Sequence, residues 1–147
     1  MLLGRLVTAI VGLLFAGTPL WAQRRAADTL PTAVVQRFVD AANARDIPGM
    51  MATIAPEAVF SVLPSGKILG AGHDGIRAFY TAIFARLKPG FTVEVAGRMH
   101  DRGFVIDHEV FHQEGTPAPS GEATWVYWVA GGLIRHAWTL KPPPAAP

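Results

Sequence analysis

Two carboxylates, Asp107 and Glu109, and two imidazoles, His108 and His112, fall within one β-branched and aromatic run, Phe104 to Gln113 (FVIDHEVFHQ). Successive side chains on a strand point to opposite faces. Val105, Asp107, Glu109 and Phe111 would therefore share one side, with Phe104, Ile106, His108, Val110 and His112 on the other. Two carboxylates spaced this way lie about 7 Å apart, and on an apolar face at least one should hold its proton more tightly than usual. Such a pair suits general acid/base work in proton transfer, elimination or hydration. The same residues also allow a structural arrangement, in which Asp107 forms a cross-strand salt bridge with Arg98 or Arg135.

The histidines point to less. His108 and His112 would stand about 13 Å apart along the strand, too far to chelate one metal ion directly. Only sheet pairing could bring His100 or His136 to them, so no metal site is expected and these side chains read as polar residues of the outer face. His73 reads as a turn or cap residue. Tyr127 is the phenol that would reach the acids' side, either as a hydrogen-bond donor to a developing oxyanion or as a packed ring.

The elements that would position these groups can be read in order. Pro31 suits a first helical turn, with Thr29 or Thr32 as caps, and Val34, Val35, Phe38, Val39 and Ala42 recur at helical spacing up to Asn43–Asp46. A second short helix is predicted over Ile47–Ile54, a strand over Ala58–Leu63, and a small return strand at Lys67–Gly70 after the Pro64-Ser65-Gly66 turn. In the helix after Gly72, Ile76, Phe79, Tyr80, Ile83, Phe84 and Leu87 form one apolar stripe, and Pro89-Gly90 ends it. The period then changes to two, giving strands at Phe91–Met99, Phe104–Gln113, Ala123–Val129 and Leu133–Leu140. This order predicts an α+β fold, with three helices in the N-terminal half packed on a curved, mostly antiparallel sheet.

The chain has 147 residues, room for one cored domain. Thirteen Lys and Arg against eleven Asp and Glu leave a formal charge of +2. The basic residues form no stripe, which argues against a nucleic-acid partner. Cysteine is absent, excluding disulfides and thiolate chemistry. Arg5, the apolar run Leu6–Ala16 and Pro19-Leu20-Trp21-Ala22 form the pattern of a secretory signal peptide over residues 1–22. Leu20 is larger than the residue preferred at that position, which leaves an uncleaved anchor as the alternative. The run is short of the ~20 residues of a membrane span, so the cleaved protein is expected to be secreted or periplasmic without stable membrane insertion. Residues 23–29 are a polar lead, 30–141 the domain, and 142–147 a Pro-rich tail. Trp128 opposes Trp125 on its strand, so one of them faces outward, which suggests a homodimer paired through the sheet.

The residues also carry a resemblance. Thr32–Val39 (TAVVQRFV) with Asn43-Ala44, Asp46 and Gly49 resembles the first helix and turn of bacterial steroid Δ-isomerases, and Gly72–Tyr80 (GHDGIRAFY) is similar to the start of their third helix. VIDHE, followed by a hairpin and GGLIRHAW, resembles SnoaL-like proteins. Over Leu30–Leu140 the chain thus resembles the cone-shaped nuclear transport factor 2-like superfamily. That resemblance implies an apolar pocket for a small hydrophobic molecule, bounded by Phe38, Val62, Phe79, Val105, Phe111 and Trp125, with Asp107, Glu109 and Tyr127 as catalytic candidates and no cofactor. The superfamily holds isomerases, dehydratases, cyclases, epoxide hydrolases and binding proteins, so the fold does not fix the activity. The isomerases' oxyanion tyrosine aligns with Phe38, their proton-moving aspartate with Val62 and their oxyanion aspartate with Trp125. Loss of one oxyanion donor costs about 3 kcal/mol, so ketosteroid isomerisation by that set of groups is not expected. The epoxide-hydrolase aspartates align near Glu109 and Thr139, and Thr139 cannot act as acid or base. The expected function is acid/base isomerase, lyase or hydrolase chemistry, or else non-catalytic binding.

Overall fold

A computed structural model describes residues 29–140. The expected signal peptide, nearly all of the polar lead and the Pro-rich tail lie outside the described residues. Helix α1 (Pro31–Asn43) begins at Pro31, which needs no N–H partner there, and buries Val34, Val35, Phe38 and Val39. Its N-cap residue is Leu30 rather than Thr29 or Thr32, and the Leu30 carbonyl accepts from the Val34 N–H. The chain reverses at Arg45, and the Asp46 carboxylate accepts from the Gly49 N–H to cap α2 (Ile47–Met51).

The second helix ends at Met51 rather than Ile54, and strand β1 (Ile54–Leu63) starts earlier than its pattern suggested. Pairing of Ile54 with Ile134 of the neighbouring strand sets the boundary, and Pro56 is compatible with it. The proline forces its predecessor into an extended conformation. It also lies in the interval between Ile54 and Val59 where the pairing with the neighbouring strand shifts register, so its missing N–H breaks no ladder. Strand β2 (Lys67–Ala71) returns along β1 and runs into α3 (Gly72–Phe84). Gly70 is required there, because a Cβ would lie 2.8 Å from the Ile76 Cα. Helix α3 stops before Leu87, whose N–H still reaches the Ile83 carbonyl in a closing turn.

Four strands follow, β3 (Phe91–Asp101), β4 (Phe104–Gln113), β5 (Gly121–Ala130) and β6 (Leu133–Leu140). The sheet order is β2-β1-β6-β5-β4-β3, with β1 and β6 parallel and every other pair antiparallel. The architecture is therefore the α+β arrangement expected, an open curved sheet with helices packed in its concavity. The core joins Val34, Val35, Phe38 and Val39 of α1 and Ile76 of α3 to Phe60, Val105, Tyr127, Ile134 and Ala137 of the sheet. Trp125 and Tyr127 stack on the concave side, whereas Trp128 is 41% exposed on the outer side.

Candidate functional site

The inner positions of β4 run Val105, Asp107, Glu109, Phe111, and both acids are buried. Their surroundings differ. Asp107 faces Arg98 across β3, in a register set by the shift between Val95 and Gly97. The Arg98 guanidinium grips it in a fork, Nε donating to Oδ1 at 2.7 Å and Nη2 to Oδ2 at 2.6 Å. Nη1 donates to Gln36 Oε1 at 2.8 Å, and the Gln36 amide donates to Asp40, which ties the pair to α1. The Asp107 hydrogen bond raises the Arg98 pKa and fixes its charge. Asp107 is thus engaged through both oxygens, and Arg135 turns to Glu57 and the Ala130 carbonyl instead.

Glu109 has no such cation. It is 5% exposed and accepts one hydrogen bond, from the Tyr127 hydroxyl to Oε1 at 3.0 Å. Burial pushes its pKa up to about 7, the Tyr127 hydrogen bond opposes that rise, the Asp107 charge adds to it and the Arg98 charge subtracts. A carboxyl balanced near neutrality can both take and return a proton. Burial and then the Glu109 charge push the Tyr127 phenol well above its ordinary range, so it stays a donor.

Glu109 opens onto a cavity of about 370 Å³ between α1, α3 and the β3–β5 part of the sheet. This is at the small end of the ~300–1,000 Å³ range of small-molecule sites. Of the residues expected there, Phe38, Phe79, Glu109, Phe111, Trp125 and Tyr127 line it. Val62, Val105 and Asp107 do not. Val105 and Asp107 precede the cavity-lining residues of β4, Val105 in the core and Asp107 in its ion pair. Val62 lies on β1, where the Phe60 ring, in edge contact with Phe38 and Tyr80, fills the concavity. Asp107 is consequently no partner of Glu109 at the cavity wall, and the two-acid arrangement is replaced by one acid and one phenol.

The sequence reading missed Tyr80, Asn43 and Arg45, which also line the cavity. Tyr80 passed as one more member of the α3 stripe. The available signal was its hydroxyl, since a buried phenol needs a partner for its oxygen. Asn43 clamps α1 to β3, its amide donating to the Val93 carbonyl and its oxygen accepting from the Val93 N–H. The histidines of β4 lie outside, His108 against Glu122 and His112 against Glu94 in exposed cross-strand pairs.

A protein-family model, the SnoaL-like domain, matches residues 35–137. No curated protein matches the sequence. Solved structures similar to this chain include an uncharacterized cystatin-fold protein from Novosphingobium aromaticivorans, 20% identical, with a TM-score of 0.65 over 76% of this chain and 97% of that one. A proposed polyketide cyclase from Sinorhizobium meliloti is 18% identical, with a TM-score of 0.60 over 72% of this chain and 92% of that one. A proposed ketosteroid isomerase from Kribbella flavida is 14% identical, with a TM-score of 0.61 over 82% of each. At these identities the likeness establishes a shared fold.

Proposed function

The chain belongs to the SnoaL-like domain family of the nuclear transport factor 2-like superfamily, and from that premise we propose that it is an acid/base enzyme of isomerase, lyase or hydrolase type acting on a small hydrophobic molecule. One observation carries this reading: Glu109, with its pKa raised to about 7, stands at the wall of an apolar cavity with a single hydrogen bond from Tyr127. As the carboxylate it would accept a proton from the substrate, and as the acid it would return one. Tyr127 would keep the carboxyl oriented through the cycle, and the Arg98–Asp107 pair would hold the strand beneath it. The structural neighbours named as a polyketide cyclase and a ketosteroid isomerase fit small-molecule chemistry of this kind. With Phe38, Val62 and Trp125 in the positions that resemble the isomerases' functional ones, any isomerase chemistry here works through different groups.

Carboxyl-resolved NMR of the protein tests this, with Glu109→Gln to assign the signal. A carboxyl titrating near pH 7 that vanishes in the variant is the expected result; a Glu109 signal titrating near 4.5 would remove the acid/base role. The almost wholly apolar wall favours a second reading, in which Glu109 only orients a bound ligand. Exchange of ligand protons with deuterated water separates the two, because an orienting carboxylate catalyses none.

We propose further that the domain works outside the cytoplasm, supported by the pattern of residues 1–22, and that two copies pair through the outer sheet face. Phe104 and Trp128 are each 41% exposed there and Met99 is 64% exposed. N-terminal sequencing of periplasmic protein tests cleavage after Ala22. Sedimentation tests the pairing: Trp128→Glu should give monomers, and a wild type that sediments as a monomer rejects it.

A further inference from the structure

Arg45 is the cation among the described residues that line the cavity, and the acid/base reading leaves it without a task. It closes the turn after α1, its backbone N–H donating to the Ala42 carbonyl, with a φ of 54°. That is the left-handed region in which glycine is unstrained, so the turn itself gives no reason for an arginine. The residue is exposed, and its side chain reaches from the end of α1 to the segment after α3, where Nη2 donates to the Lys88 carbonyl at 2.7 Å. Among the described residues the rest of the guanidinium has no hydrogen-bond acceptor.

The neighbouring charges leave this cation open. Arg98, Arg102 and Arg135 each meet a carboxylate, whereas Arg45 meets none among the described residues. Asp46, next in the chain, accepts from the Gly49 N–H, and Glu114, beside Gly90, forms no ion pair among the described residues. Arg86 and Lys88 flank the cavity-lining Leu87, are exposed, and add positive charge to the segment that Arg45 reaches. Inside, the one carboxyl on the wall is Glu109, buried and hydrogen-bonded to a phenol rather than to a cation.

We infer that the cavity takes an amphipathic anion, a carboxylate carried on an apolar body, with the carboxylate at the rim on Arg45 and the body inside. The charges fix that orientation. A carboxylate at the inner wall would lie beside Glu109 in an apolar space, where two like charges oppose each other and neither is hydrated. At the rim the same group stays in water and accepts charge-assisted hydrogen bonds from a planar donor built for carboxylates. The apolar body leaves water for the cavity of about 370 Å³. The inference names a ligand class for the small-molecule reading of the cavity and rests on that reading; it needs nothing from the chemistry at Glu109.

The test uses two probes that share one apolar body, 1-naphthaleneacetate and 1-naphthaleneethanol, titrated by calorimetry at neutral pH into wild type, Arg45→Gln, Arg45→Lys and Arg45→Gly. Wild type should prefer the acetate, and added salt should narrow that preference. Arg45→Gln should weaken the acetate by about three- to tenfold and leave the alcohol within about twofold. Arg45→Lys, which keeps the charge and loses the fork, should retain part of the preference. Arg45→Gly relieves the left-handed turn, so a variant at least as stable as wild type that still loses the acetate preference separates the charge from the fold. A wild type that binds the alcohol as well as the acetate, or an Arg45→Gln that weakens both probes equally, would overturn the inference and leave the small-molecule reading standing. An acetate-selective loss in Lys88→Gln with Arg45→Gln unchanged would overturn it as well. Failure of both probes to bind wild type would remove the small-molecule reading and this inference with it.

Discussion

Replacing Glu109 with Gln should stabilise this protein at neutral pH, and by an amount that depends on pH in a defined way. The folded state holds the Glu109 proton with a pKa of about 7, against an ordinary 4.5. Because the folded state binds that proton more tightly, its contribution to stability is full below about pH 4.5, shrinks through the interval, and is gone above about pH 7. That interval corresponds to about 3 kcal/mol. The group is 5% exposed, so solvent screening reduces the figure little. Glutamine mimics the protonated acid in size, and its carbonyl can still accept from Tyr127. Wild type and Glu109→Gln should therefore be of similar stability at pH 4.5, and the variant ahead by about 3 kcal/mol at pH 8, roughly 10 °C in Tm for a domain of this size. Thermal and urea unfolding of both proteins at pH 4.5, 6 and 8 measures the difference. A gap that stays constant across pH, or a wild type that gains on the variant as pH rises, would show that Glu109 ionises at least as freely in the fold as outside it. The acid/base assignment would then lose its physical basis.

Two further changes act on the same network. Tyr127→Phe removes the donor to the buried carboxylate, a bond to a charged group worth about 1.5–3 kcal/mol, so the Glu109 midpoint should rise by about one to two pH units in a carboxyl NMR titration. An unmoved midpoint would mean that the hydroxyl bonds elsewhere in solution. Arg98→Met strips the fork from Asp107, whose side chain is fully buried, and should cost about 3–5 kcal/mol in urea unfolding. Adding Asp107→Leu should recover most of that loss, since the cost lies in the stranded charge; a double variant as unstable as the single one would assign the loss to Gln36 and Thr32, the other partners of Arg98.

What the sequence made legible, and what it did not, divides along physical lines. Strand β4 and strand β6 start where expected because turn residues precede them: Arg102 and Gly103 adopt positive φ before β4, and Gly131 and Gly132 do so before β6. The boundary between α2 and β1 was misplaced because Met50, Met51 and Ile54 suit either period, and tertiary pairing of Ile54 with Ile134 decided for the strand. The cavity was expected from the resemblance and from no residue pattern, since it is the space that Phe38 and its aromatic neighbours fail to fill. The separation of Asp107 from Glu109 lay closer to reach. Alternation turns both acids inward, and a buried acid either finds a cation or keeps its proton. Of the flanking strands, β5 offers Ala123, Trp125 and Tyr127 on the matching face, none of them cationic, and β3 offers Arg98. One cation cannot neutralise two carboxylates. The irregular step between Val95 and Gly97 aims Arg98 at Asp107, and it leaves Glu109 with a phenol and a raised pKa beside the cavity.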